Sequence, residues 1–202
     1  MEVATIVAHL NSLDPQWDLI GFFDDSEPKG KLVDGYPVLG GMEALNLWPR
    51  ELFLVLALGI PRTKRYVHRR IYNPNIRYPV LIHPTVIIGN PDTVTIGEGS
   101  IICAGTIITT QVHLGRHVIL NLACTVGHQS RIGDYSSFMP TCNISGEVDI
   151  GEATFWGTGS KIINRKRVGN DVTVGAGAVV IENLPDGVTA VGVPARVVKE
   201  RS

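Results

Sequence analysis

Residues 121–150 read NLACTVGHQSRIGDYSSFMPTCNISGEVDI, and within them Val126, Ile132, Phe138, Ile144 and Ile150 fall six residues apart. The spacing runs back through Leu120, Leu114, Ile108 and Ile102 to Ile96, and on through Trp156, Ile162, Val168 and Val174 to Val180. Four residues after each bulky position stands a small one, such as Ser100, Thr106, Cys124, Ser130, Ser136, Cys142, Thr154 or Ser160, with Lys166 as the exception. A period of six matches neither an α-helix at 3.6 nor plain strand alternation at 2. It matches short strands joined by sharp corners, three hexads closing one triangular coil of eighteen residues. Glycine recurs directly after the bulky residue, at Gly97, Gly115, Gly127, Gly133, Gly151, Gly157, Gly169 and Gly175, which we read as left-handed corners. One coil cannot bury its own apolar face, so the coils must stack. With Ile82 and Ile88 included, about seventeen hexads make five to six coils. At a strand spacing of ~4.8 Å the prism is roughly 25–30 Å tall.

The 202 residues carry a net charge of −1 and 44% apolar side chains. That balance argues against non-specific nucleic-acid binding and supplies a sizeable core. No apolar run approaches the roughly 18 residues that cross a bilayer, and no signal peptide opens the chain. A cytoplasmic protein without membrane insertion is expected. Cys103, Cys124 and Cys142 lack metal-ligand spacing. Cys124 and Cys142 lie eighteen apart and should stack inside the coil, as reduced thiols packed like small apolar groups rather than as a disulfide.

Residues 1–78 have ordinary α/β grammar. Val3, Ile6, Val7 and Leu10 make an amphipathic helix. LIGFF (19–23) reads as a buried strand ending at Asp24 and Asp25, and ELFLVLAL (51–58) as another. A basic helix from Thr63 to Tyr72 follows, with Lys64, Arg65, Arg69 and Arg70 assigned to solvent. Pro74 and Pro79 bracket a linker. The expected domains are an α/β unit over 1–78, the repeats over 79–185 and a closing segment over 186–202.

Five stretches carry a family resemblance: LIGFFDD (19–25), LIHP (81–84), NLACTVGHQSRIGD (121–134), VGAGAVV (174–180) and VGVPAR (191–196). With the hexads, they resemble the hexapeptide-repeat acyltransferases, and within them the sugar N- and O-acetyltransferases of bacterial glycan pathways. The resemblance implies a left-handed parallel β-helix behind a small Rossmann-like domain. It also implies acetyl-CoA as donor, a nucleotide-linked amino sugar as acceptor, and a homotrimer whose donor groove lies between subunits. Relatives open with a strand and a glycine-rich turn, whereas this sequence starts within the helix that follows. The first strand is therefore expected to be lacking here, either because the start is misassigned or trimmed, the favoured reading, or because part of the acceptor grip is lost, which would leave a gap in the small sheet.

His128 falls on the place of the family's general base. A neutral imidazole near pH 7 suits removal of a proton as nitrogen attacks a thioester. His9, His68, His113 and His117 are read as surface histidines. Eighteen residues beyond His128 lies Gly146, whose side-chain-free backbone would face the acyl group and whose N–H would hold the oxyanion. Relatives often place an acid beside the base. Here Gln129 stands there, and one coil on comes Glu147, the candidate to orient His128, with Asp134 as a second. The catalytic set is thus His128, Glu147 and Gly146.

On the donor side, Ser137 replaces a second histidine of the relatives. Gly157, Gly159, Gly175, Ala176 and Gly177, with Gly146, thin the wall for the pantetheine arm. The basic run Asn164, Arg165, Lys166 and Arg167 is read either as meeting the coenzyme A phosphates, with Lys166 the named contact, or as a solvated turn, and Pro194 and Arg196 are placed at the adenine end. Asp24, Asp25, Asn121 and His128 form the acceptor side. The competing readings are a sialic-acid-type O-acetyltransferase, a non-catalytic sugar-nucleotide scaffold, and a zinc lyase. The last would need a third histidine beside His83 and His117, where Leu122 stands.

Overall fold

The computed structural model describes residues 2–200. Its prism has three parallel faces. The first stacks Leu81–Ile82, Ile101–Ile102, Ile119–Leu120, Ser137–Phe138, Phe155–Trp156 and Thr173–Val174, and continues into Val188–Val191. The second stacks Ile87–Ile88, Ile107–Ile108, Thr125–Val126, Asn143–Ile144, Lys161–Ile162 and Val179–Val180. The third stacks Thr95–Ile96, His113–Leu114, Arg131–Ile132, Asp149–Ile150 and Arg167–Val168. Paired residues are eighteen positions apart, as in Ile107 with Thr125 and Thr125 with Asn143. The first coil is longer, pairing Ile87 with Ile107, because a 3₁₀ turn at Pro91–Thr93 is inserted there, and the last is shorter, pairing Thr173 with Thr189.

The second residue of every strand points inward. Ile102, Ile108, Leu114, Leu120, Val126, Phe138 and Trp156 are fully buried, and the last two rings stack 5.4 Å apart. The small column does more than save space. Ser100, Ser130 and Ser136 are buried at 0% exposure, and their hydroxyls donate to the carbonyls of Gly115, Ser145 and Gly151. The same oxygens accept the N–H of Val118, Val148 and Thr154 on the next coil. A serine thus satisfies one donor and one acceptor that the corner would otherwise strand in an apolar core. The three cysteines are buried and unbridged.

The corner glycines have a different job from the one expected. Left-handed angles occur two residues later, mostly on larger side chains: His117, Ala123, Gln129, Tyr135, Thr141, Glu147, Ala153, Arg165 and Asp171. The N–H of each such residue is tied to the coil before, Gln129 to Thr110 O (3.1 Å) and Glu147 to His128 O (2.7 Å). The post-strand glycines exist because coils touch there. A Cβ on Gly97 would lie 2.5 Å from the Gly115 carbonyl carbon, and one on Gly133 2.6 Å from that of Gly151.

In front of the prism, helix α1 (Glu2–Leu13) packs Ile6 and Val7 on Leu81, Ile101 and Ile119 of the first face. Strands β1 (Phe22–Phe23), β2 (Leu32–Val33) and β3 (Tyr36–Gly40) form a sheet in the order β1–β3–β2, followed by α2 (Met42–Asn46). A separate parallel pair joins β4 (Leu52–Phe53) to β5 (Ile76–Arg77). Among the described residues no strand connects the two pieces. A cavity of about 900 Å³ is lined by Val7, Leu19, Phe22, Leu45, Val55 and Leu81 among others.

Helix α3 (Pro61–Arg69) overturns the solvent-facing assignment of Lys64. Lys64 is at 0% exposure, laid on the first face with Nζ donating to Ser137 Oγ at 2.9 Å. Arg62 and Arg65 clamp Asp171, and His68 bonds the Tyr135 hydroxyl (2.8 Å). His117 is likewise no surface residue. It is wholly buried, stacked on Tyr135 with centroids 5.4 Å apart, and both ring nitrogens lack partners. Burial, then the nearby cations, pushes His117 down to about 3. Burial alone pushes Lys64 down to about 7 from 10.5.

The sign of the resulting stability effect follows from the neutral amine being the form the fold prefers. The penalty of burying charge is complete below about 7 and fades as pH rises toward 10.5. Relative to Lys64→Met, the wild type should gain up to about 1.4 kcal/mol for each pH unit above neutrality. Urea midpoints of both proteins at pH 7, 8 and 9 measure this, and a difference that stays constant across the series contradicts it.

Candidate functional site

The corner between the second and third faces brings His128 and Gly146 together. A Cβ built on Gly146 would lie 2.5 Å from His128 Nε2 and 2.7 Å from Cε1, so the exposed imidazole rests on the glycine backbone. Any larger residue at 146 would displace the ring. The Gly146 N–H is also open. At the equivalent corner position on the third face, the N–H groups of Arg116, Glu152 and Asn170 are capped by Asp134, Asn170 and Asp186 side chains at 2.7–2.8 Å. Among the described residues the Gly146 N–H meets no such acceptor. A proton acceptor and an unused backbone donor therefore stand side by side on an accessible corner, the pairing that acyl transfer requires.

Glu147 does not orient the imidazole. Its carboxylate is held by Arg165 one coil on, with Nε 3.1 and 3.2 Å from the two oxygens. The Nδ1 of His128 faces Gln129 Oε1 instead, at 3.2 Å. Asp134 lies on the next corner, bonded to the Arg116 N–H and guanidinium. The pairing of Arg165 with Glu147, rather than with coenzyme A phosphates, follows the repeat: one more step of eighteen from Glu147 lands on Arg165.

The donor-side residues are divided. Ser137 points outward from the first face and is sealed beneath Lys64, so it cannot meet a ligand there. Gly157, Gly159, Gly175, Ala176 and Gly177 occupy the corner between the first and second faces, as does Asn121, which caps the Leu122 N–H at 2.7 Å. Lys166 sits on the histidine corner. Pro194 lies in the loop before the last strand, Arg196–Glu200; this loop is tied to Val179 through Gly192 and Ala195. Arg196 approaches Glu182 at 3.5 Å. Within one chain the glycine corner and His128 lie on different edges of the prism.

Asp24 and Asp25 lie at the end of β1 and line the N-terminal cavity. Asp24 Oδ1 accepts from the Ser26 hydroxyl and N–H (2.6 and 2.8 Å), bonds that hold its carboxyl below the usual range. Asp25 Oδ1 accepts the N–H of Met42 at the start of α2, 2.7 Å away. Each carboxylate uses only one oxygen in these bonds. His83, one of the zinc-lyase histidines, is instead paired with His9 at 2.7 Å, and no three metal-ligating side chains cluster among the described residues.

Residues 3–71 match the PglD N-terminal domain family. The GDP-perosamine N-acetyltransferase of Escherichia coli O157:H7 is 31% identical over 183 residues, covering 88% of this chain and 81% of the relative. The acetyltransferase domain of PglB from Neisseria gonorrhoeae FA1090 superposes with a TM-score of 0.88 at 32% identity, over 98% of this chain and 93% of that one. PerB from Caulobacter crescentus, solved with CoA and GDP-perosamine, gives 0.76 at 33% identity, over 83% and 81%.

The contact between coils at the histidine corner is open to test. Gly146→Ala should shift the Cε1–H resonance of His128 while leaving that of His113 in place. Melting should change by no more than about 2 °C, because the corner is a surface feature.

Proposed function

The chain belongs to the hexapeptide-repeat sugar N-acetyltransferases, and on that footing we propose that it moves the acetyl group of acetyl-CoA to the amine of a nucleotide-linked amino sugar, with His128 as general base. The observation that carries the reading is the seating of the His128 ring on the backbone of Gly146, whose N–H meets no acceptor among the described residues. The amine nitrogen attacks the thioester carbonyl while its proton passes to Nε2. Negative charge gathers on the carbonyl oxygen, where the Gly146 N–H donates. The C–S bond then breaks, and the CoA sulfur leaves and takes up a proton. General-base assistance contributes roughly 10²–10⁴-fold, and one oxyanion donor about 10²–10³-fold.

The reading extends to a homotrimer. The outward residues of the second face are uncharged over its first four strands, with Ile87 and Ile107 exposed at 58% and 40% and Thr125 and Asn143 beside them. The third face presents Arg131, Asp149 and Arg167, and the first is covered by the N-terminal unit. Burying the second face against another copy would bring the glycine corner of one chain toward the histidine corner of the next. The pantetheine arm would then run along Gly157, Gly159 and Gly175–Gly177. Lys166 would meet the phosphates, and Pro194 and Arg196 the adenine end. The nucleotide of the acceptor is assigned to the end of β1 at Asp24 and Asp25, with Asn121 near the sugar. The unbridged thiols suit a cytoplasmic setting, and no helix among the described residues is long and apolar enough to cross a membrane.

Thiol release from acetyl-CoA should follow addition of at least one UDP-, GDP- or dTDP-linked amino sugar. Silence across that panel, with release on sialic acid, would assign a hydroxyl acceptor instead. His128→Ala should lower kcat by about 10²–10⁴-fold with the oligomer intact. Light scattering should give three copies for the wild type and fewer for Ile107→Glu, and an unchanged mass in that variant rules out the second face as the contact.

A further inference from the structure

We propose that Thr110 is a specificity-determining residue of this site, its side-chain oxygen accepting a hydrogen bond from the acceptor-sugar hydroxyl that neighbours the amine. The inference rests on His128 being the base. Thr110 stands eighteen residues before His128, so it holds the same corner position one coil lower, half-buried where His128 is exposed. The imidazole leans away from it, onto Gly146 of the coil above. Thr110 Oγ1 turns toward the coil below, 2.9 Å from Thr93 Oγ1. The two side chains therefore diverge, and the space between them is no taller than two strand spacings (~10 Å), room for one hexose ring. The oxyanion donor lies above His128, and Lys166 is higher still on the same corner. The side left to the acceptor is the one that Thr110 floors.

What the Thr110 hydroxyl can offer is set by the turn inserted in the first coil. At Gln129, Glu147 and Arg165 the left-handed N–H donates to a backbone carbonyl one coil back. At Gln111 (φ +55°) the acceptor is a side chain instead, Thr93 Oγ1 at 3.0 Å, where the 3₁₀ turn Pro91–Thr93 lengthens the coil. Thr93 Oγ1 also donates its own hydrogen to Asn90 O at 3.0 Å. With that hydrogen spent, the contact between the two threonines is made by the hydrogen of Thr110. All three contacts of Thr93 hold together only in this arrangement. Thr110 Oγ1 is then left with lone pairs alone, a match for a donor on the sugar and for nothing else. With the amine at His128 Nε2, a hydroxyl on the adjacent ring carbon is the donor that spans the gap to Thr110.

The probes are 4-amino-4,6-dideoxyglucose and its 3-deoxy and 3-fluoro analogues, each on UDP, GDP and dTDP, read by thiol release from acetyl-CoA. The wild type should favour the 3-hydroxy sugar over the 3-deoxy sugar in kcat/KM by about 3–10-fold, the range of one neutral hydrogen bond. The 3-fluoro sugar, which cannot donate, should fare no better than the 3-deoxy one. Thr110→Val should bring the ratio to about one with KM for acetyl-CoA unchanged, and Thr110→Ser should restore it. No preference in the wild type, a preference that survives Thr110→Val, or a 3-fluoro sugar that matches the 3-hydroxy sugar overturns the proposal, as does silence with all of these probes. His128→Ala separates the two readings: if it stays fully active, the base assignment fails and this inference with it. If it is inactive while the preference survives Thr110→Val, only the role of Thr110 is lost.

Discussion

The backbone hydrogen bonds of the prism run between coils, not along them. A two-residue strand such as Thr125–Val126 has no internal partners and finds them eighteen residues away on both sides, at Ile107–Ile108 and Asn143–Ile144. Coils must therefore stay in register, and every corner must turn within a few residues. The left-handed corner positions, the hydroxyl pegs of Ser100, Ser130 and Ser136, and the glycines where coils touch all answer that requirement. Each left-handed non-glycine residue costs roughly 1–2 kcal/mol, and its N–H bond to the previous coil helps to offset that cost.

The same stacking makes the functional corner. Residues one coil apart are held about one strand spacing apart, ~4.8 Å, so a histidine over a glycine is a geometric certainty once the hexads close. The ring fits because residue 146 has no side chain, and the glycine N–H stays available because no capping oxygen comes from the next coil. On the third face, Asp134, Asn170 and Asp186 supply such caps. On the histidine corner the N–H groups of Thr110, His128 and Gly146 all lack such a cap among the described residues, and what sets Gly146 apart is the His128 ring seated on it.

The N-terminal unit meets the prism through a seam rich in polar groups for so buried a place. Lys64 has one hydroxyl as its partner, and His117 lies beside it with two unsatisfied nitrogens. Such groups are costly as charges and tolerable as neutral bases, which is why burial drives both downward. Basic residues on α3 divide accordingly, Arg62 and Arg65 reaching a carboxylate at Asp171 while the shorter reach of the seam leaves Lys64 with Ser137.

Periodicity alone was enough for the coil, its inward columns, the register of eighteen, and the neighbourhood of His128 and Gly146. A repeat fixes relative positions wherever the backbone is regular. Side-chain direction was not legible. Glu147 shares a column with Gln129, yet Arg165 draws its carboxylate away, and that choice depends on a third coil. Ser137 and Lys64 both read as accessible because neither sequence position reveals that α3 lies across the first face. Nor does a linear repeat say which corner faces which: His128 and the Gly157–Gly177 set share a period but stand on different edges. Local pattern decides how a chain closes on itself, whereas the packing of distant elements decides which polar groups remain free to act.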